Sequence, residues 1–563
     1  MPLQTNAGRA PADGPVQSLV RCVAAGALVL LQTACGAAGD PTNTGTTPPK
    51  CTVSGVSVSA SAATVNTGVA ATLTATASTT SSCAGGVSWA ATPSGGTLTP
   101  SGLTATFTAA TPGTFTITAT SSDDPTKSGS TTLTVTAAGP PCGQATTPAV
   151  THSSNITTSE TWAGDALHIV PNNITISGSA VVTIQPCAVV ALGAGTSINV
   201  AGSAHLVAAG TGNTKFVTFR RNTAQAWGTL VGSTATSLID LTWTTLTGGG
   251  NFGGMSNPTI AVFGAGYGSA LSPVLRTSNV TIQSSQGVGV YLDANGAFTG
   301  DSQVLQITGA GGRPIMSTMM SLGSVPTGAY TGNANDEILI VGPNANVFAN
   351  TTIQDLGVPV RIAYTSMSVA PSGGATAPVT LTLKPGVVFK FPKLPGPQPG
   401  ARVSFGTNGN DPNNLVGVLN AIGTAAKPII FTSGEAAPAP GDWVGLWLNT
   451  ANGSRLDYVQ INYAGAASSI VSNNCRLVNT PDNAALLIGD FSSQYVPPSN
   501  LITNSTISNS AGYGINAMWQ AGIFNSVDLT ATNVFTNNAR CRQTYNGLTP
   551  PGVCPVGGGC TVP

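Results

Sequence analysis

Few side chains here could do chemistry, and their spacing restricts them more than their number. The 563-residue chain has ten cysteines, three histidines and 19 acidic residues. Cys22 and Cys35 fall in an amino-terminal leader, leaving Cys51, Cys83, Cys142, Cys187, Cys475, Cys541, Cys554 and Cys560. None has a C-x-x-C spacing, whereas structural zinc sites draw thiolates and imidazoles from short-spaced pairs. Neither a metal nor a cofactor is expected. Dispersed cysteines in even number in an exported chain read as disulfides. Connectivity does not follow from sequence. We expect Cys51–Cys83 near the front, Cys142–Cys187 further along, and two bridges in the tail.

Catalytic constellations are equally scarce. Asp442, Asp457, Asp482 and Asp490 are near in sequence, but none of them is adjacent to a second acid from which to build the two carboxylates of glycoside hydrolysis. His152, His168 and His205 have no nearby serine or cysteine elbow and no G-x-S-x-G. No catalytic residue is assigned. The Pro392–Leu415 segment, PKLPGPQPGARVSFGTNGNDPNNL, is a better place to look for binding. Long loops on rigid scaffolds often carry function. It brings Lys390, Lys393, Arg402 and Asp411 near Trp443 as ligand-binding candidates. Asn410, Asp411, Asn413 and Asn414 lack the charge density of a strong calcium site. Trp227 and Trp443 have coil-corner packing as the plain reading and carbohydrate stacking as the functional one.

The elements that must position these residues are written in a repeat. Val181 to Trp227 and Val379 to Trp443 share a T-[IL]-x-P-x-x-V-[VF] core at Ile184 and Leu383. Each then has a lysine before a V/I-x-F stretch, and a tryptophan. A second echo pairs Ser278–Val290 with Asn504–Ile515. Self-similarity on this scale marks a stacked solenoid, in which each coil buries its apolar residues only against its neighbours. Asn279 and Asn504 fall at turns, where asparagine tolerates a left-handed backbone. Only 7% of residues are charged, against about 25% in ordinary globular chains. Net charge is zero, so there is no basic stripe for nucleic acid.

These observations predict an all-β chain: a β-sandwich at 51–138, then a solenoid over 139–545 with related units at about 150–298 and 350–520. The sandwich rests on period-2 strands with inward faces at Val56, Val58, Leu73, Trp89, Leu103, Phe107, Phe115, Ile117, Leu133 and Val135. A Gly/Pro-rich tail, 546–563, is expected to staple down the open solenoid edge.

Four resemblances sharpen this. Val23–Leu31 followed by Thr33-Ala34-Cys35-Gly36 resembles the lipobox of bacterial lipoproteins, although Gln32 stands where leucine is usual. The resemblance implies a signal peptide at 1–35, lipidation of Cys35, a tether at 36–50 and display at the cell envelope, outer membrane or cell surface. Ser61–Gly68, Val87–Trp89 and Thr111–Ala119 resemble bacterial immunoglobulin-like (group 2) domains, which serve as spacers or adhesive modules. The T-[IL]-x-P-G-x-V-[VF] element resembles right-handed parallel β-helix proteins of the pectate-lyase-like type; Cys187 replaces its glycine in the first copy, favouring a disulfide there. Polygalacturonases share N-T-D, D-D, H-G and R-x-K elements; N-T-D, H-G and R-x-K do not occur here, and the one D-D, Asp123-Asp124, lies in the sandwich segment and not in the solenoid. The expectation is therefore a monomeric, non-enzymatic lipoprotein, anchored in the membrane by its lipid. It would bind carbohydrate or a surface protein, or act as an envelope scaffold. A polysaccharide lyase or hydrolase is the alternative.

Overall fold

The computed structural model describes residues 51–80, 83–137, 142, 148–254, 256–342, 345–364, 366–372, 377–393, 401–406, 416–449, 453–467, 483–489, 497–517, 527–545 and 559–560. Cys35, Cys475, Cys554 and Asp411 lie outside these residues.

The first module follows from alternating Thr/Ser and apolar residues. Val53–Ala60, Ala71–Thr79, Thr104–Ala109 and Gly96–Ser101 make one antiparallel sheet. Thr64–Asn66, Ser128–Thr136, Gly113–Ser121 and Val87–Thr92 make the other, with Thr64–Asn66 running parallel to its neighbour. Leu73 and Phe107 from the first meet Phe115, Ile117 and Leu133 from the second in one core, with the two phenylalanine rings 4.9 Å apart. Cys51 and Cys83 are bonded across its edge. Three inward expectations need correction, the first being Val56, which is half-buried and outside this core. Leu103 is 44% exposed, because it sits in the turn between the strands ending at Ser101 and beginning at Thr104. Trp89 is half-buried at the core margin and donates its indole N–H to the Gly102 carbonyl.

Beyond residue 148 the strands run parallel, each paired with the strand one coil away. One sheet stacks thirteen of them, from Ile174–Ile176 to Val534–Thr536. Two further stacks run from Ala345–Val347 to Tyr513–Ala517 and from Thr351–Ile353 to Ile502–Thr503. Neighbouring strands about 4.8 Å apart place like residues one above another. Trp162, Ile184, Ala208 and Leu241 are in register, as are Ile353, Leu383 and Ala421. A single apolar core continues from Ile156 to Leu529. This is consistent with the parallel β-helix expected from the repeat.

The two units agree in detail. Ile184 and Leu383 are both buried. Trp227 and Trp443 are both fully buried, and each donates its indole N–H at 2.9 Å to a backbone carbonyl, of Thr247 and Asn462 respectively. Cys187 has φ +70°, and Gly386, its counterpart, has φ +95°. The left-handed position thus takes a cysteine where Cys142 ties the first coils down. At the far end Gly559–Cys560 folds back antiparallel onto Thr544–Tyr545, and Cys541 is disulfide-bonded.

Candidate functional site

Residues 394–400 and 407–415 of the segment singled out from sequence lie outside the described residues, and the candidates Lys390, Lys393 and Arg402 are each internally engaged. Lys390 sits on the outward face of the Val388–Phe391 strand, between Arg361 and Thr432 in register. Its ammonium is 2.6 Å from Glu337. Lys393 reaches Asp442 at 3.2 Å. Burial pushes the Asp442 carboxyl up, but the Ala439 amide, the Ser433 hydroxyl and Lys393 together hold it below its ordinary value. Arg402 lies over the Trp447 ring, 5.6 Å from its centroid.

Trp443 as a sugar-stacking surface is corrected. It is 0% exposed and stacked on Phe391 at 4.3 Å. Alternation along the strand turns Phe389 and Phe391 inward, and Trp443 completes that aromatic stack. The packing reading of Trp227 and Trp443 is the one the geometry supports.

Several acidic groups among the described residues are likewise engaged. Asp240 and Asp301 bracket Arg276 at 2.9 and 2.7 Å. Asp355 pairs with Lys427. Asp457 accepts from Thr503 and Asn504. Asp293 accepts from the Tyr267 hydroxyl at 2.6 Å, which with burial raises that phenol to about 12. His152 and His168 come together from neighbouring coils, 3.0 Å apart, with Glu160 3.5 Å from the other side of His152. Ring centroids 5.2 Å apart make that contact nearly collinear, so each nitrogen points at the other. That geometry shares a proton and leaves no wedge for a metal. Among the described residues one trio of metal-ligating types clusters, Cys51, Cys83 and Asp123, and its two sulfurs are spent in the disulfide.

The open site lies at a solenoid corner that sequence reasoning passed over. Leu238–Thr247 is a ten-residue strand. It pairs with His205–Ala209 through its first half and with Val217–Arg221 through its second. The bend between the halves is Trp243, at φ +43°. Asn279 and Val304 take the same position in the next coils, at φ +57° and +48°. Left-handed backbone suits Asn279, but costs tryptophan or valine about 1–2 kcal/mol. What it achieves is presentation: the residue at the bend stays accessible while the residue after it, Thr244, Val280 or Leu305, is buried. Gly210 lies beneath, where a Cβ would fall 2.2 Å from the Trp243 carbonyl.

Around Trp243 a cleft of about 250 Å³ is lined by Phe216, Asn279, Val280, Thr281, Val304 and Gln306. Phe216 meets Trp243 edge-on at 5.9 Å, and Val304 is 43% exposed. A second cleft of about 300 Å³ shares Trp243 and continues past Gln303 to Asn66 and Thr64 of the first module. Of the seven tryptophans, Trp519 lies outside the described residues. Trp89, Trp162, Trp227, Trp443 and Trp447 donate their indole N–H to protein oxygens. Among the described residues, Trp243 alone has an indole N–H without an acceptor in the protein.

A sequence signal for this corner existed. The buried positions run Ile239, Leu241, then Thr244, Leu246, so strict alternation slips by one at Trp243. The next coil slips at Asn279, and the second unit slips at Tyr458 between Leu456 and Val459.

An aromatic face, a free indole donor and side-chain amides together make a surface suited to hydroxyl-rich ligands. The comparisons leave the reading to this geometry: no family model, curated protein or solved structure matches the chain.

Proposed function

We propose that the protein is a non-enzymatic, envelope-displayed lipoprotein whose solenoid binds glycans at the Trp243 corner. The observation that carries this is the indole N–H of Trp243, which has no acceptor in the protein among the described residues, set in a cleft between Phe216, Val304 and the amides of Asn279 and Gln306. Sugars offer apolar ring faces for stacking and hydroxyls for amides, and unpaired polar groups in a preformed cleft supply specificity.

Binding is favoured over cleavage by how the carboxylates are held. Asp240, Asp301, Glu337, Asp355 and Asp442 are each tied to a cation. A hydrolase needs two carboxylates facing each other across the substrate, and none of the residues lining the Trp243 cleft is acidic. In this reading Cys35 carries the lipid, residues 36–50 are the tether, the first module is an immunoglobulin-like spacer, and the β-helix is right-handed and monomeric.

The test is a glycan array probed with the mature protein and with Trp243→Ala, alongside assays for released oligosaccharide. Retention on at least one glycan class, lost in the variant and with no product released, supports the proposal. Soluble sugar released by the intact protein would establish the enzyme alternative. Cys35→Ser is expected to shift the protein from the membrane to the soluble fraction, and continued anchoring would remove the lipidation assignment.

A further inference from the structure

The Trp243 corner is one end of a longer face. Four adjacent parallel strands, Val217–Arg221, Leu238–Thr247, Ser272–Gln283 and Gln303–Thr308, carry their outward residues in rows. Thr218, Thr245, Thr281 and Gln306 are in register, and beyond them Thr247, Gln283 and Thr308. These seven side chains are hydroxyls and amides, and Arg220, exposed on the first strand, extends the second row.

Its far end opens into a cavity of about 580 Å³, lined by Arg221, Gln225, Asn251, Ser284 and Gln286 among others. From Trp243 to Gly248, opposite Arg221, is five residues, or about 17 Å of strand. One extended oligosaccharide could touch both ends.

Arg221 is held without being neutralised. Its Nε donates to the Gly248 carbonyl at 3.1 Å and its Nη1 to the Ala224 carbonyl at 3.4 Å. These contacts fix the guanidinium plane and leave Nη2 for a ligand. Among the described residues it has no carboxylate partner, in contrast to Arg276 between Asp240 and Asp301. The cavity lining contains no acid either. Arg220, next in the chain and exposed, also has no carboxylate partner among the described residues. A fixed, half-buried guanidinium among amides is a receptor for an oxyanion, which it can grip with parallel N–H donors.

We infer that the glycan of this face carries an oxyanion, carboxylate or sulfate, which Arg221 binds in the corner cavity while Trp243 stacks on a sugar ring at the opposite end. This rests on the glycan-binding reading and names the class of glycan. Lysine would keep the charge but lose the fork, so Arg221→Lys should retain only part of the preference.

The experiment is calorimetric titration of the mature chain with three length-matched oligosaccharides: neutral, carboxylated and sulfated. The variants are Arg221→Gln, Arg221→Lys and Trp243→Ala, each checked for unchanged circular dichroism. Intact protein should bind one acidic form roughly ten- to a hundred-fold tighter than the neutral form, with the margin shrinking as salt rises. Arg221→Gln should erase the acidic-over-neutral margin, whereas Trp243→Ala should weaken all forms. The tighter acidic arm identifies the anion. If the acid-to-neutral ratio is near one, or survives in Arg221→Gln, this inference is overturned while the Trp243 reading stands. If no form binds, both are overturned. If Arg221→Gln does not fold, the ratio in Arg221→Lys decides, and a ratio equal to that of intact protein overturns the inference.

Discussion

Replacing Trp443 by alanine separates a core residue from a ligand platform, and the structure sets the size of the effect. The side chain is fully buried, stacked at 4.3 Å on Phe391, which in turn lies 6.4 Å from Phe431. Emptying such a site costs about 3–5 kcal/mol. Part of that is the Asn462 carbonyl losing its indole donor, a buried bond worth about 1 kcal/mol. Trp443→Phe keeps most of the ring volume but not the donor, so it should cost about 1–2 kcal/mol. In a stacked solenoid each coil leans only on its neighbours, so the loss should be local. Hydrogen–deuterium exchange reads this directly. Amides of Gly445–Leu448 and Val459–Asn462 should lose protection in the order Ala, then Phe, while strands near Trp227 keep theirs. Trp227→Ala should mirror the pattern in the first unit. Unchanged exchange in Trp443→Ala, together with lost glycan retention, would refute the packing argument and return Trp443 to the surface.

Two smaller perturbations test the same frame. A Cβ at Gly249 would fall 2.6 Å from the Trp227 ring, so Gly249→Ala should destabilise by about 1–3 kcal/mol, measured by urea unfolding; an unchanged midpoint would contradict the tight fit. His152 titrates below its ordinary 6.5, chiefly through burial and then the His168 charge, with Glu160 opposing. A depressed folded value means the unfolded chain binds more protons, so this stabilisation is present above about pH 6.5 and lost as pH falls through the folded value. Acidification should speed proteolysis of the first coils, and His152→Phe, which can still stack on Trp162, should abolish that dependence. A coil that gains resistance on acidification would reverse the sign.

The architecture was legible because repetition exposes it. Ile184 and Leu383, Trp227 and Trp443, and Cys187 and Gly386 occupy equivalent coil positions, and each pair could be aligned by eye. Asn279 and Asn504 have the left-handed backbone expected of asparagine, at φ +57° and +50°. The site was harder to read because a ligand surface is defined by what remains unpaired, and pairing is set across coils. Lys390 looked available until Glu337, 53 residues away, came beside it. His152 and His168 looked isolated until stacking brought them together. Trp243 sits in a Thr-rich strand and was not singled out, and only the one-residue slip in alternation distinguishes it. Leu103 failed for the opposite reason, because a turn took it out of the alternation that its neighbours obey.

The central claim is that Trp243, and no core tryptophan, meets the ligand. Nitrogen-15 labelling of tryptophan in the mature protein gives one indole N–H signal per residue, assigned by single Trp→Phe variants. In the free protein the Trp243 indole should exchange with solvent fastest among the described tryptophans, because it alone has no acceptor. Addition of a bound glycan should shift and protect that signal while those of Trp227 and Trp443 stay in place. A protected Trp243 signal in the free protein, or a ligand shift confined to other tryptophans, would contradict the account.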